Sequence, residues 1–208
     1  ALVPAIGMEW QTFLFREGLV RICALPYAAP SRMTLHHTSA HLTNTSVSSL
    51  QSDGSVPCCE TLADLSARLG SDTWASIWQA ISTMLQKAMT CCRLCVPSSP
   101  CRSFQIIGAD VLLDDQFRPH LIELNDLVSL KLGRTVVMTD PIVQELGLKR
   151  CSAPCFDHRP HAHAPSDLDE HVKVPLVVGS LTLVQRMATS GAGASSDVLL
   201  DELPFDAL

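Results

Sequence analysis

The stretch FQIIGADVLLDDQFRPHLIELNDLVSL, residues 104–130, decides how the fold of this chain is interpreted. Its pattern predicts two β-strands joined by a tight polar turn at Asp114-Asp115-Gln116. Side chains of a strand alternate between two faces, so Glu123 and Asn125 share one face. If the hairpin closes at this turn, Asp110 approaches that pair from the neighbouring strand.

These three residues together predict a metal site. Two carboxylates and an amide supply the oxygen ligands that Mg²⁺, a hard cation, prefers in nucleotide sites. A solvated carboxylate at the end of a strand is the simpler interpretation of Asp110 alone. Glu123 stands between apolar residues, and a buried carboxylate needs a cationic partner, which favours a metal or an arginine nearby.

Helical and strand patterns extend outward from the hairpin. Residues 12–22 predict two short strands, and residues 61–69 predict a short helix that ends at Gly70. Apolar residues between 74 and 88 recur at the i, i+3, i+4 spacing of an amphipathic helix. Asp140 followed by Pro141 predicts the start of a further helix, which runs through Leu146.

Two regions lack such patterns. Residues 28–60 are rich in Ser, Thr, Pro and His, and we expect a long, partly ordered loop there. From about residue 151 Pro, His, Ser, Gly and Ala dominate, apart from one apolar island at 174–184. The sequence therefore predicts one domain over residues 1–150 and a tail of low order over 151–208.

Composition narrows the class of protein. The chain has 208 residues, 47% of them hydrophobic, which is enough to bury a sizeable core. A formal net charge of -6 without a basic stripe argues against a nucleic-acid partner. No apolar run reaches the length of about 18 residues that indicates a membrane span. Nine irregularly spaced cysteines indicate reduced thiols, as in the cytoplasm, rather than a disulfide framework.

The cysteines and histidines offer a second, weaker metal pattern. Cys91, Cys92 and Cys95 resemble half of a zinc site, which Cys151 and Cys155 would have to complete. Structural zinc sites have two tight pairs at regular spacing, so we do not expect zinc on this pattern. The histidines of the later tract are interpreted as a disordered segment that attracts metals weakly: His158, His161 and His163.

Four blocks of the sequence resemble the tubulin tyrosine ligase-like family, in the order in which that family has them. They are FLFREGLVRICALPY (13–27), HLTNTS (41–46), an amphipathic helix over 73–90 and FQIIGADVLLDDQFRPHLIELN (104–125). The pairing of His-Leu-Thr-Asn with the later Asp…Glu-x-Asn is the specific part of the likeness. The resemblance implies an α+β fold: the C-terminal part of an ATP-grasp core, an antiparallel sheet with flanking helices, incomplete at its N-terminus.

The resemblance also implies roles for individual residues. Asp110, Glu123 and Asn125 match the family's metal ligands. His41, Thr43 and Asn44 match positions that line the nucleotide and phosphate region. Arg21 matches a catalytic arginine near the reacting carboxylate or phosphate, where a planar cation is useful.

The activity implied is ATP- and Mg²⁺-dependent ligation of an amino acid to tubulin through an acyl phosphate. Glutamate is the preferred amino acid, because most branches of the family are glutamylases; glycine and tyrosine stay open. Tubulin or microtubules and an amino-acid co-substrate are then the partners. The implied location is the cytoskeleton within the cytoplasm, with cilium, flagellum and basal body left open.

Several departures from the family pattern favour an alternative. The family's nucleotide-binding lysines and its Asp-x-Arg signature fall before Ala1, Asp126 adds a carboxylate after Asn125, and Ser49 stands where many members have lysine. These departures suit a non-catalytic relative that binds microtubules or a partner. An unrelated ATP-grasp ligase acting on a small molecule is a third alternative.

Overall fold

The computed structural model describes residues 2–6, 9–36, 40–43, 58–95, 103–152, 160–189 and 196–208. Within these residues, short antiparallel sheets combine with α-helices, which agrees with the predicted α+β class. The chain divides into two compact units. The first consists of Ala1–Gly18, Leu62–Leu130 and Lys173–Leu208, and the second of Leu19–Thr61 and Lys131–Val172.

The first unit contains a five-stranded antiparallel sheet. Strand β1 (Leu2–Ile6) pairs with β2 (Glu9–Trp10), with β3 (Phe13–Phe15) and with β6 (Ser103–Ile106). The predicted strand at residues 13–15 is thus present, and all three of its residues are buried. Its sheet also contains β6, which comes from a distant part of the sequence.

Two consecutive helices follow in this unit, α1 (Leu62–Leu69) and α2 (Ser71–Cys95). Gly70 ends α1 at a φ of +84°, a conformation that a residue without a Cβ adopts easily, so this prediction is confirmed. The predicted amphipathic face of α2 is also confirmed, because Ile77, Ile81 and Leu85 are buried in one core cluster.

The predicted hairpin is present as β7 (Gly108–Leu113) and β8 (Pro119–Asn125), joined by a turn over residues 114–118. Its apolar face belongs to the same cluster as α2. The residues that pack there are Ala109, Val111, Leu113, Leu121 and Leu124. Helix α2 therefore supports the hairpin from one side and leaves its other face to carry polar groups.

Two smaller antiparallel pairs form the second unit. Strand β4 (Leu19–Ile22) pairs with β5 (Cys58–Thr61), so the expected loop over 28–60 ends earlier than predicted. The backbone N–H and C=O groups of β4 need hydrogen-bond partners, and the last residues of the expected loop supply them by forming β5. Strands β9 (Gly133–Val137) and β10 (His161–Pro165) form the other pair.

A short helix, α3 (Pro141–Glu145), lies beside β9 and β10 in a small core of Val136, Val143, Ala162 and Ala164. Asp140 is its N-cap, and its Oδ1 accepts a hydrogen bond from the backbone N–H of Ile142 at 3.1 Å. The predicted cap and the proline in the first turn are therefore confirmed.

The expectation of low order after residue 151 is wrong for the described part of that segment. It contains β10, the helices α4 (Asp167–Thr189) and α5 (Ser196–Leu200), and β11 (Phe205–Ala207), which pairs with β3. The apolar island supplies the reason. It places Leu183 in the core with no exposure, and Phe205 is 2% exposed with its ring 5.3 Å from Phe15. This burial outweighs the disorder-prone composition.

Residue 150 as a domain boundary stays a prediction. Among the described residues, no helix has both the length and the apolar composition needed to cross a membrane.

Candidate metal and nucleotide site

The register of the hairpin brings the three predicted metal ligands onto one face. Asp110 of β7 lies directly opposite Glu123 of β8, and Gly108 lies opposite Asn125. Directly opposed residues have Cα atoms about 4.5–5.5 Å apart. The Asn125 side-chain amide donates a hydrogen bond to Glu123 Oε1 at 3.1 Å, which leaves its carbonyl oxygen available as a ligand.

A β-bulge in β8 makes this arrangement compatible with the core. Asp110 pairs with Glu123, but the next residue, Val111, pairs with Leu121, so Ile122 is the extra residue. The bulge lets Leu121 and Leu124 both pack toward α2 although they are three positions apart. Glu123 stays with Asp110 on the opposite face.

This polar face is open to solvent. Asp110 and Glu123 are exposed, and Asn125 is partly buried. The expectation that apolar neighbours bury Glu123 is therefore wrong, because Ile122 points to solvent with 63% exposure and Leu124 packs on the core side. Two surface cavities among the described residues are lined by other side chains, one by residues of α2 and of both ends of the chain, and the other by residues of α2 and Pro119.

The donor set itself fits Mg²⁺. This ion is usually held by one or two carboxylates, keeps several water molecules and shares its remaining ligands with substrate phosphates. Two exposed carboxylates beside an amide oxygen would supply the protein part of such a shell. An open face leaves room for phosphate and water.

The segment after Asn125 folds back against the end of the hairpin. A Cβ on Gly108 would lie 2.8 Å from Val128 Cγ1, so only glycine lets the two segments approach this closely. The Gln105 side chain donates a hydrogen bond to the Asp126 carbonyl oxygen at 2.9 Å. These contacts fix the backbone of the segment that follows Asn125, in which Asp126 is exposed.

The residues that match the nucleotide region and the catalytic arginine belong to the second unit, whereas Asp110, Glu123 and Asn125 belong to the first. His41 Nε2 lies 3.0 Å from the Thr34 carbonyl oxygen, and its ring packs edge-on against Tyr27 at 6.1 Å. Thr43 is partly buried, and Asn44 lies outside the described residues. The imidazole thus helps to order its own loop.

Arg21 is exposed on β4, opposite Cys59 of β5. Burial raises the pKa of the Cys59 thiol, and the guanidinium of Arg21 acts against that rise. In the part of the chain that the structure describes, Arg21 and His41 share no hydrogen bond or ion pair. The structure therefore brings the three oxygen ligands together within the first unit, and Arg21, His41 and Thr43 belong to the second.

The two charged residues before Gly18 have structural roles. Glu17 Oε1 accepts hydrogen bonds from the backbone N–H groups of Gly18 at 2.8 Å and Leu62 at 2.7 Å, so it caps the start of α1. Arg16 donates to the Leu203 carbonyl oxygen and lies 3.7 Å from Asp206. These contacts give Arg16 a structural role. The partner of Glu17 lies 45 positions away, which no local pattern indicates.

Asp114 closes the hairpin turn with a dense set of hydrogen bonds. Its carboxylate accepts from the backbone N–H groups of Arg118 and Gln116, each at 2.9 Å, and from Arg118 Nε at 2.8 Å. His120 Nε2 lies 3.1 Å from the same carboxylate. The backbone hydrogen bond from Arg118, followed by the bond from His120, holds the pKa of Asp114 well below its ordinary value.

Residues 2–144 match the sequence model of the tubulin-tyrosine ligase family. Tubulin polyglutamylase TTLL13 of Mus musculus is 30% identical over 131 residues, covering 54% of this chain and 16% of that protein. TTLL13 of Homo sapiens is 26% identical over 190 residues (83% and 19%). Tubulin polyglutamylase TTLL11 of Mus musculus is 25% identical over an alignment of 211 positions (92% and 26%). The chain spans between about a sixth and a quarter of the length of these relatives.

Proposed function

Because this chain belongs to the tubulin-tyrosine ligase family, we propose that the protein is an ATP- and Mg²⁺-dependent ligase that adds glutamate to tubulin. The observation that carries the proposal is the single polar face of the hairpin, where Asp110 and Glu123 are directly opposed and Asn125 is hydrogen-bonded to Glu123. The relatives that match this chain are named as tubulin polyglutamylases, which supports glutamate as the added amino acid.

The proposed reaction has two balanced steps. A carboxylate oxygen of tubulin attacks the γ-phosphorus of ATP, so that an acyl phosphate forms and ADP leaves. The amine of free glutamate then attacks the acyl carbon, the amide bond forms, and inorganic phosphate leaves with loss of a proton. In an ATP-grasp core, positioning and charge neutralisation lower most of the barrier to such phosphoryl transfer.

Individual residues carry this chemistry in the proposal. Asp110, Glu123 and Asn125 would hold the Mg²⁺, which would neutralise charge on the ATP phosphates when bound. Arg21 would bind the reacting carboxylate or the transferred phosphoryl group, where its planar cation forms paired hydrogen bonds. His41, Thr43 and Asn44 would line the nucleotide region. The protein would act at the cytoskeleton in the cytoplasm.

The test is an incorporation assay with protein made from its complete coding sequence. Tubulin, ATP, Mg²⁺ and labelled glutamate are incubated with the protein, with an active polyglutamylase run in parallel. We expect label in tubulin that depends on ATP, and no label when glycine or tyrosine replaces glutamate. Absence of incorporation with all three amino acids contradicts the proposal. Co-sedimentation with microtubules in that case, without nucleotide binding, supports the non-catalytic alternative.

A further inference from the structure

Three side chains of the second unit lie close together, and none of them belongs to the candidate Mg²⁺ site. The Sγ atom of Cys151 and ring nitrogens of His161 and His163 all lie within 4.8 Å of one another. The sequence separates them by nine and by one residue, a spacing that matches none of the regular zinc patterns. Their proximity is a product of the fold.

Strand pairing presents the two histidines on the same side. β10 runs antiparallel to β9, with His161 opposite Val137 and His163 opposite Thr135. The alternate residues, Ala162 and Ala164, point into the small core with exposures of 0% and 1%. His161 and His163 therefore share the other face, and their rings are 5.3 Å apart and nearly perpendicular.

The backbone fixes the cysteine beside them. The N–H of Cys151 donates a hydrogen bond to the His161 carbonyl oxygen at 2.8 Å. His161 is only 4% exposed, Cys151 is partly buried and its thiol is free, and His163 is open to solvent. The cluster thus has a protected side and an entry side.

The chemistry of these ligands selects the kind of metal. One thiolate and two imidazoles are ligands of Zn²⁺, whereas Mg²⁺ requires oxygen. Ligand atoms around tetrahedral zinc lie about 3.3–3.8 Å apart, given metal–ligand lengths of about 2.0–2.3 Å. Side-chain rotations that move the ligand atoms by about 1 Å bring the three atoms into that range. A water molecule would supply the fourth ligand.

We propose that Cys151, His161 and His163 bind one Zn²⁺ ion. The ion ties the segment after α3 to β10, and so stabilises the second unit. This site is separate from the proposed Mg²⁺ ligands in both residues and ligand type. Its existence does not depend on the proposed ligase activity.

Cobalt substitution tests the site directly, because Co²⁺ bound to sulfur gives a charge-transfer absorption that oxygen ligands do not produce. The chain is reduced, stripped of metal and titrated with Co²⁺. We expect one equivalent to bind with the sulfur band and tetrahedral visible bands, and one equivalent of Zn²⁺ to displace it. Failure to bind, or binding without the sulfur band, overturns the proposal.

Variants locate the ligands. Cys151→Ser should abolish the sulfur band, and His163→Gln should weaken binding at least about 10-fold, since even loss of a residue that only supports a ligand typically costs that much. His163 is exposed, so its variant keeps the fold, which circular dichroism of the metal-free proteins checks. Cys92→Ser and His171→Gln are matched controls and should bind as the unmodified chain does. Equal affinity in His163→Gln, or an unchanged band in Cys151→Ser, overturns the assignment.

Discussion

At the scale of single residues, Glu123 shows how far alternation in a strand can be trusted. The sequence predicted that Glu123 shares a face with Asn125 and approaches Asp110. In the observed register Glu123 lies opposite Asp110, and Asn125 lies two residues further along the same strand. The sequence could not reveal that Ile122 is a bulge residue, because a bulge depends on how the two strands pair. Apolar neighbours therefore suggested burial for a carboxylate that is exposed.

The first prediction concerns the side chain of Glu123 itself. Glu123→Gln keeps the shape but removes the charge, so a Mg²⁺ ligand becomes a weak one. We expect glutamate incorporation into tubulin to fall at least about 100-fold, the upper end of what loss of a supporting residue costs a metal site. Asp115→Asn removes the same charge from the exposed turn of the same hairpin and should retain activity. Equal activity of the two variants would exclude Glu123 as a ligand.

The second prediction concerns pH and Asp114. Because its pKa is lower in the folded state, the ionised carboxylate stabilises the fold. This contribution is complete above the ordinary carboxyl pKa of about 3.9 and is lost as the pH falls toward the lower folded value. Asp114→Asn should therefore lower the urea midpoint at neutral pH, and the difference should shrink in acid.

Asp115→Asn is again the control, since its carboxylate makes none of the hydrogen bonds that close the turn. Urea melts of both variants at each pH provide the comparison. A deficit in Asp114→Asn that stays constant down to the acid range would contradict this account of the turn.

At the scale of elements, strong local sequence patterns were sufficient to predict several helix ends, an amphipathic helix and the hairpin. The Gly70 stop, the apolar stripe of α2, the hairpin and the Asp140 cap each depend on neighbours a few positions away, and all are present. Two strands that pair with remote segments, β5 and β11, were not foreseen. Strand β5 exists because it completes β4, and β11 because it completes β3.

The third prediction tests the close packing at the end of the hairpin. Gly108→Ala places a Cβ 2.8 Å from Val128 Cγ1, and such overpacking costs about 1–3 kcal/mol. The lower entropy of the unfolded chain offsets about 0.4–1 kcal/mol of this, so we expect a net loss of stability of about 1 kcal/mol. The free energy of unfolding from urea melts measures it.

The Gly108→Ala, Val128→Ala double variant is the matched test of the cause. If the clash is responsible, Val128→Ala removes the penalty of the alanine at 108, and the two changes are coupled. Strictly additive effects would show that another contact explains the glycine.

At the scale of the whole molecule, composition was the least reliable guide. The segment after residue 151 has the residues of a disordered tail, yet α4 and β11 bury Leu183 and Phe205 in the first unit. The cluster of Cys151, His161 and His163 likewise depends on a tertiary contact, the hydrogen bond from the Cys151 N–H to the His161 carbonyl oxygen. Contacts between residues so far apart leave no periodic signal in the sequence.

The fourth prediction distinguishes a folded C-terminal segment from a tail. Phe205 is 2% exposed and packs on Phe15, so Phe205→Ala should cost about 3–5 kcal/mol of unfolding free energy. Val198 is 64% exposed in the same segment, and Val198→Ala should change stability by no more than about 0.5 kcal/mol. If the two substitutions have the same small effect on the unfolding free energy, the segment does not belong to the core.

The most direct test of the central claim is calorimetric titration of ATP, with and without Mg²⁺, into protein made from its complete coding sequence. We predict that ATP binding is strengthened by Mg²⁺ in the unmodified protein, and that an Asp110→Asn, Glu123→Gln double variant loses this dependence on Mg²⁺ while it keeps its fold. The same Mg²⁺-dependent strengthening in both proteins would contradict the assignment of these hairpin carboxylates as the ligands of a nucleotide-bound ion.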